Sequence, residues 1–230
     1  MRREAEGVFS PSAGFGAPWG PGWDAEKIIE LFEPMVLEPR RRRIGDVILS
    51  RLASVTLVMD APHDPHNGAA VLRSCDAFGV QVVHVVPREE EFLVSASVAK
   101  GTERWVDVVT HRSPEAAVAA LAGFELVATH PEGELLPEDL AAIPRLALVV
   151  GNEHDGIRAA LRSAARRSVK IPMRGFVESL NVSVSAAIVL SLATSGRAGD
   201  LSEGERRLLY ARGLFHSVVR APEILAGRAP

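Results

Sequence analysis

The chain predicts an α/β fold, a mainly parallel sheet flanked by helices. Three observations carry that expectation. Short apolar runs recur at residues 55–59, 82–86, 105–109, 124–129, 146–150 and 169–171. Helical stretches separate most of them. The junctions carry turn or cap chemistry, as at Gly79, Pro87 and Ser113-Pro114. Strands buried on both faces read as unbroken apolar runs, and parallel neighbours need a crossover that is usually a helix.

Taken in order, residues 1 to about 22 are rich in Gly, Pro and Ser, with Trp19 and Trp23 nearby, and read as a flexible or loosely docked arm. Asp24 caps a short helix through Phe32. Pro34 and Pro39 interrupt, and a helix over 40–52 follows. Val55-Thr56-Leu57-Val58-Met59 is a buried strand. Residues 66–78 are helical and stop at Gly79. Val82-Val83-His84-Val85-Val86 is the next strand. Residues 88–104 are ambiguous, and Trp105-Val106-Asp107-Val108-Val109 is a third strand. Ser113-Pro114 opens a helix to about Ala122, with Pro at the first helical position. Strands over 124–129 and 146–150, a helix over 156–167 and a strand over 169–171 complete the alternation. Residues 181–194 form a helix apolar almost all round, which predicts burial. Ser202-x-x-Glu205 is a capping box for a last helix.

Composition narrows the class. The chain has 230 residues, 47% hydrophobic and only 5% aromatic, so its core is built from Val, Leu, Ile and Ala. No apolar run reaches the length of a bilayer span, and no signal-peptide apolar region is present. The single cysteine, Cys75, excludes an internal disulfide and a Cys-cluster zinc site and points to the cytoplasm. His63 and His66 lack a third ligand at metal spacing, so no metal is expected. A net charge of −3 argues against a generally basic nucleic-acid binder. Phosphate contacts act through patches, however, and Arg40, Arg41, Arg42 and Arg43, with Arg51 further along, form a candidate patch. A solvated helix face explains the same cluster.

Three segments carry chemistry. Ile171-Pro172-Met173-Arg174-Gly175-Phe176-Val177-Glu178-Ser179-Leu180-Asn181-Val182-Ser183-Val184-Ser185 places polar side chains at a helix N-terminus, beside free backbone N–H groups. One cap needs one such residue, and this stretch supplies more. Leu146-Ala147-Leu148-Val149-Val150-Gly151-Asn152-Glu153 ends a strand in a Gly turn that permits close approach of a ligand. His66-Asn67-Gly68-Ala69-Ala70-Val71-Leu72-Arg73 sets an arginine in an apolar helical stretch, where it needs a partner or an anionic ligand. The glycines do not follow Gly-x-Gly-x-x-Gly, so a dinucleotide site finds no support.

Together these segments resemble the signature motifs of the SpoU family of RNA ribose 2′-O-methyltransferases, within the knotted SPOUT superfamily. The three matches are Asn-x-x-Ala-x-x-Arg from Asn67, Gly-Asn-Glu-x-x-Gly from Gly151, and Ile-Pro-Met with Ser-Leu-Asn-Val-Ser from Ile171. The likeness runs from about residue 40 to about 192 and is closest to the TrmH branch, which methylates the ribose of guanosine 18 in the tRNA D-loop. It implies a C-terminal deep trefoil knot near residues 146–192 and S-adenosylmethionine as cofactor. It implies a catalytic Arg73, aided by Asn67, Ser179, Asn181 and Glu153, and cofactor contacts at Thr129, Gly151, Ile171 and Leu180. Free arginine is a poor base, so an electrostatic role for Arg73 is as sound physically as proton removal. The resemblance also implies a homodimer, with the helix near Asn181 and the final helix at its interface. The domain division expected is an N-terminal extension over 1–38, partly flexible, a methyltransferase domain over 39–196, and a C-terminal helical extension over 197–230. The alternatives are ribose methylation of rRNA or of another tRNA position, and a non-catalytic RNA-binding protein.

Overall fold

The structure is a computed structural model, and it describes residues 16–88, 104–152 and 155–228. Six strands form one sheet among the described residues: β1 (Val55–Asp60), β2 (Val82–Val86), β3 (Asp107–Thr110), β4 (Glu125–Thr129), β5 (Leu146–Val150) and β6 (Arg167–Val169). Their order is β3-β2-β1-β5-β4-β6, and every neighbouring pair is parallel. β1 and β5 sit at the centre and are buried at every position. Their mainly apolar runs, with Thr56 and Asp60 the polar exceptions in β1, reflect cover on both faces.

One face carries α3 (Pro65–Ala77) and α6 (Val182–Ala193), packed on each other and on the sheet through Val71, Leu72, Val189 and Leu190. The other face carries α4 (Pro114–Ala120) and α5 (Ala159–Ala164), with Ala117, Leu121 and Leu161 in its core. A second apolar cluster lies outside the sheet. There α1 (Ala25–Phe32) packs on α7 (Glu203–Ser217) and α8 (Ala221–Ala226) through Ile28, Phe32, Leu214, Phe215 and Leu225. α2 (Glu38–Leu49) also leans on α7, with Ile44, Ile48 and Leu209 in contact.

Several expected boundaries move, each for a local reason. The helix expected from residue 40 begins at Glu38, because Pro39 falls in its first turn, where a missing N–H costs nothing. The strand expected over 105–109 starts at Asp107, since the Trp105 carbonyl accepts from the Gln81 and Arg212 side chains. The helix over 156–167 shrinks to Ala159–Ala164 and the strand over 169–171 moves to Arg167–Val169, in register with Val127–Thr129. The capping box at Ser202 is formed, but α8 follows the helix it opens.

One expectation is narrowed and one is corrected. The arm is docked from residue 16 onward: Trp19 is buried and meets Phe215 at 6.1 Å between ring centroids. Residues 1–15 lie outside the described residues. The helix over 181–194 is buried on one face only, by Ala186, Val189, Leu190 and Ala193, while Val184 is 45% exposed. Its uniformly apolar sequence overstates how much of it one chain covers.

Candidate active site and cofactor cleft

The carboxyl ends of β4, β5 and β6 open onto a cleft of about 360 Å³. Thr129 closes β4, and its hydroxyl donates to the Val149 carbonyl at 3.3 Å. Gly151 follows β5, Ile171 follows β6, and Leu180 precedes α6. All four line this cleft, with Ser179 at its rim. Ligands of open α/β sheets bind at this end of the strands, and the volume suits a cofactor-sized molecule. Among the described residues the backbone of Ile171 and Leu180 makes no hydrogen bond, which leaves polar groups for a ligand's edge.

The turn after β5 is fixed by close backbone packing. A Cβ at Gly151 would collide with the Gly156 carbonyl, so only glycine fits. The Asn152 and Gly156 backbones exchange hydrogen bonds at 3.3 and 3.2 Å, and Gly156 takes φ +68°, in the left-handed region. The turn is tied to the sheet by Arg158, whose backbone N–H and Nε donate to the buried Asp60 carboxylate at 2.6 and 2.7 Å. Sequence reasoning missed this pair. A carboxylate ending an apolar strand signals a buried partner, but nothing local says which basic residue supplies it. Glu153 lies outside the described residues.

Asn181 is the N-cap of α6, and its Oδ1 accepts from the Ser183 N–H at 2.8 Å. Its Nδ2 donates to Asn67 Oδ1 at 2.9 Å, which joins two of the three motifs. Arg73 stands apart. It is exposed on α3, does not line the cleft, and has no hydrogen-bond or ion-pair partner among the described residues. The cleft and Arg73 are therefore separate features of a single chain.

The arginine cluster divides as well. Arg41 and Arg42 pair with Glu38 on their own helix, and Arg41 also reaches Glu33. Arg40 donates to the Ser217 hydroxyl at 3.0 Å and lies over the Trp105 ring. Arg43 is exposed, without such a partner among the described residues. Arg51 is corrected: it is buried, 4% exposed, paired with Asp76, and donates to the Val80 carbonyl, so it holds α2 to the sheet and is no surface phosphate contact.

A buried histidine pair lies away from the cleft. His84 Nδ1 and His111 Nε2 are 2.7 Å apart with stacked rings. Burial, and then the neighbouring His111, pushes His84 down to about 3, and burial lowers His111 as well. Among the described residues no group of three or more His, Cys, Asp or Glu is placed to hold a metal, and no helix is long and apolar enough to cross a membrane.

A parallel sheet with a cofactor-sized cleft at its carboxyl edge, bordered by Ser179 and Ser185 about a helix N-terminus, is a framework that holds a small ligand. A model of the SpoU rRNA Methylase family matches residues 54–191, and the chain belongs to that family. The tRNA (guanosine(18)-2′-O)-methyltransferase of Escherichia coli strain K12 is 36% identical over 154 residues, covering 66% of this chain and 67% of that protein. Among solved structures, the A. aeolicus TrmH/SpoU tRNA modifying enzyme matches with a TM-score of 0.70 and 28% identity, over 80% of this chain and 98% of that one. The SpoU methyltransferase AviRb from Streptomyces viridochromogenes, in complex with AdoMet, matches with a TM-score of 0.57 and 27% identity, over 66% of this chain and 62% of that one.

Proposed function

We propose that this chain is an S-adenosylmethionine-dependent RNA ribose 2′-O-methyltransferase, and that its target is guanosine 18 of tRNA. The observation that carries the reading is the convergence of Thr129, Gly151, Ile171 and Leu180 on one cleft, with Asn181 and Asn67 bonded beside it. Bound there, S-adenosylmethionine supplies a methyl group on a sulfonium, and transfer to a ribose oxygen needs in-line placement rather than a metal. Asn181, held through both its oxygen and its nitrogen, orders the rim. Arg73 supplies positive charge for the developing alkoxide or the adjacent phosphate. Glu153 completes the turn motif. Arg40 and Arg43 on α2, with Arg41 and Arg42 behind their ion pairs to Glu38, face the RNA backbone. The cytoplasm is the compartment that fits this work.

The knot belongs to the same proposal, in the segment from β5 to α6. The chain leaves the central strand β5, adds β6 at the sheet edge, and returns to pack α6 on α3. A homodimer also belongs to it. The open face of α6 with Val184, and the exposed Phe176 and Val177, form an apolar surface on the side that carries Arg73's helix. A second copy seated there brings Arg73 to a cleft that lacks it. The expected place of the helix after Ser202 in that interface is dropped, since its apolar residues are covered by α1 and α2.

The test is methyl transfer to an unmodified tRNA transcript, with ribose methylation mapped by mass. Methylation confined to guanosine 18 is expected. Methylation of rRNA fragments in place of tRNA moves the target to ribosomal RNA, and the absence of any transfer with intact cofactor binding leaves a non-catalytic RNA-binding protein. Sedimentation of the intact chain at twice its monomer mass is expected, and a monomer with full activity removes the dimer.

A further inference from the structure

A second cleft, of about 160 Å³, lies between α2, α7 and the start of β2. It shares no lining residue with the cofactor cleft. Its volume is well below that of cofactor or drug-sized sites, so it holds one ring system and no more. Ile44, Val47, Ile48 and Leu209 make its apolar side. Trp105, with the Arg40 guanidinium 5.7 Å from its ring centroid, makes a planar side. Arg40 and Arg43 supply positive charge at this site, since Arg51 and Arg212 are each neutralised by an aspartate.

Two polar groups of its lining are left unsatisfied. Gln81 is fully buried, and its Nε2 donates to the Trp105 carbonyl and to Asp107, both at 2.8 Å. Those bonds fix the amide and leave Oε1 without a partner among the described residues. Arg212 is spread over three acceptors, the Asp107 carboxylate and the Trp105 and Gly16 carbonyls, with Nε left without a partner among the described residues. The lining thus carries one acceptor and one donor without partners among the described residues, and a nucleobase edge offers a donor and an acceptor. Buried polar groups without partners are rare enough to need an explanation.

We infer that this cleft takes one unstacked nucleobase of the RNA substrate, a recognition subsite apart from the methyl-transfer site. The base stacks against Trp105 and Arg40, its edge meets Gln81 and Arg212, and its flanking phosphates meet Arg43. The inference rests on RNA being the substrate, which methyl transfer by the unaltered chain reads separately.

The experiment compares two single-stranded hexamers of equal charge, oligouridylate and the same ribose-phosphate chain without bases, by fluorescence anisotropy at fixed salt. The unaltered chain binds the base-bearing hexamer about ten-fold more tightly, the contribution of one stacked base. Val47→Trp fills the cleft and Trp105→Leu removes its planar side. Each abolishes the difference while S-adenosylmethionine affinity by calorimetry and the melting temperature stay at their original values. Equal affinity of the unaltered chain for both hexamers overturns the inference and leaves phosphate contacts alone. So does a difference that persists in either folded variant.

Discussion

Asn181 donates from Nδ2 to Asn67 Oδ1 across 2.9 Å, so the cap of α6 and the first turn of α3 are one unit, 114 positions apart in sequence. The same Asn181 side chain caps α6 through the Ser183 N–H. Asn181→Ala loses both. Loss of the cap alone costs about 0.5–2 kcal/mol of stability. Loss of the bond to Asn67 frees the rim of the cleft, so single-turnover transfer falls by about ten-fold or more in protein that remains folded. Normal turnover with a lowered melting temperature would reduce Asn181 to a cap.

Arg73→Ala is expected to lower single-turnover transfer by about 100-fold or more, the scale of losing one electrostatic stabiliser. Cofactor affinity stays within a few-fold, because Arg73 does not line the cofactor cleft. Mixing this variant with a cofactor-cleft variant adds a test of shared sites. Activity recovered in the mixture places Arg73 across a subunit boundary.

Gly151→Ala pushes a methyl group into the Gly156 backbone. The turn from Asn152 to Gly156 must open to admit it. Overpacking of this kind costs about 1–3 kcal/mol, and here it falls on the cleft wall, so calorimetric S-adenosylmethionine affinity drops by about ten-fold. An unchanged affinity would detach this turn from cofactor binding.

The arginines of α2 are expected to differ from one another. Arg43→Ala removes a free phosphate contact and lowers the slope of log affinity against log salt by about 0.7–0.9. Arg41→Ala and Arg42→Ala change it less, since those side chains must first leave Glu38. Binding of unmodified tRNA across a salt series decides this. Equal slopes for all three would mean the ion pairs do not hold in solution.

The buried His84–His111 pair makes stability depend on pH. In the unfolded chain His84 takes a proton near pH 6.5, whereas in the fold it resists protonation down to about 3. Stability from this group is therefore complete above about pH 6.5 and declines as pH falls toward 3, by up to about 1.4 kcal/mol per pH unit. Urea unfolding at pH 7.5 and pH 5.5 measures the decline. His84→Leu flattens it, and an equal slope in that variant assigns the effect elsewhere.

Local chemistry made much of the fold readable. β5 carries an unbroken apolar run, β2 one broken only by His84, and Asp24 and Ser202 cap the helices they precede. The cleft residues Gly151, Ile171 and Leu180 lie in the motifs, and Thr129 follows from the family resemblance alone. What escaped depends on distant pairs. Arg158 finds Asp60 across 98 positions, and Trp19 meets Phe215 from the other end of the chain. Arg51 follows four surface arginines and looks like a fifth, yet Asp76 and the Val80 carbonyl draw it inward. Periodicity reports which face is apolar; it does not report which partner comes to cover it.

The packing of α1 against α7 has a consequence for synthesis. Tyr210 reaches back 177 positions to Glu33, and Phe32 finds Phe215 only once α7 exists. As the chain emerges from the ribosome, the apolar side of α1 stays wet while the entire sheet is translated. Loop closure over that span is slow to reward. The helical clasp that joins α1 to α7 therefore closes only after α7 has been made, and until then the apolar side of α1 is open to chaperones.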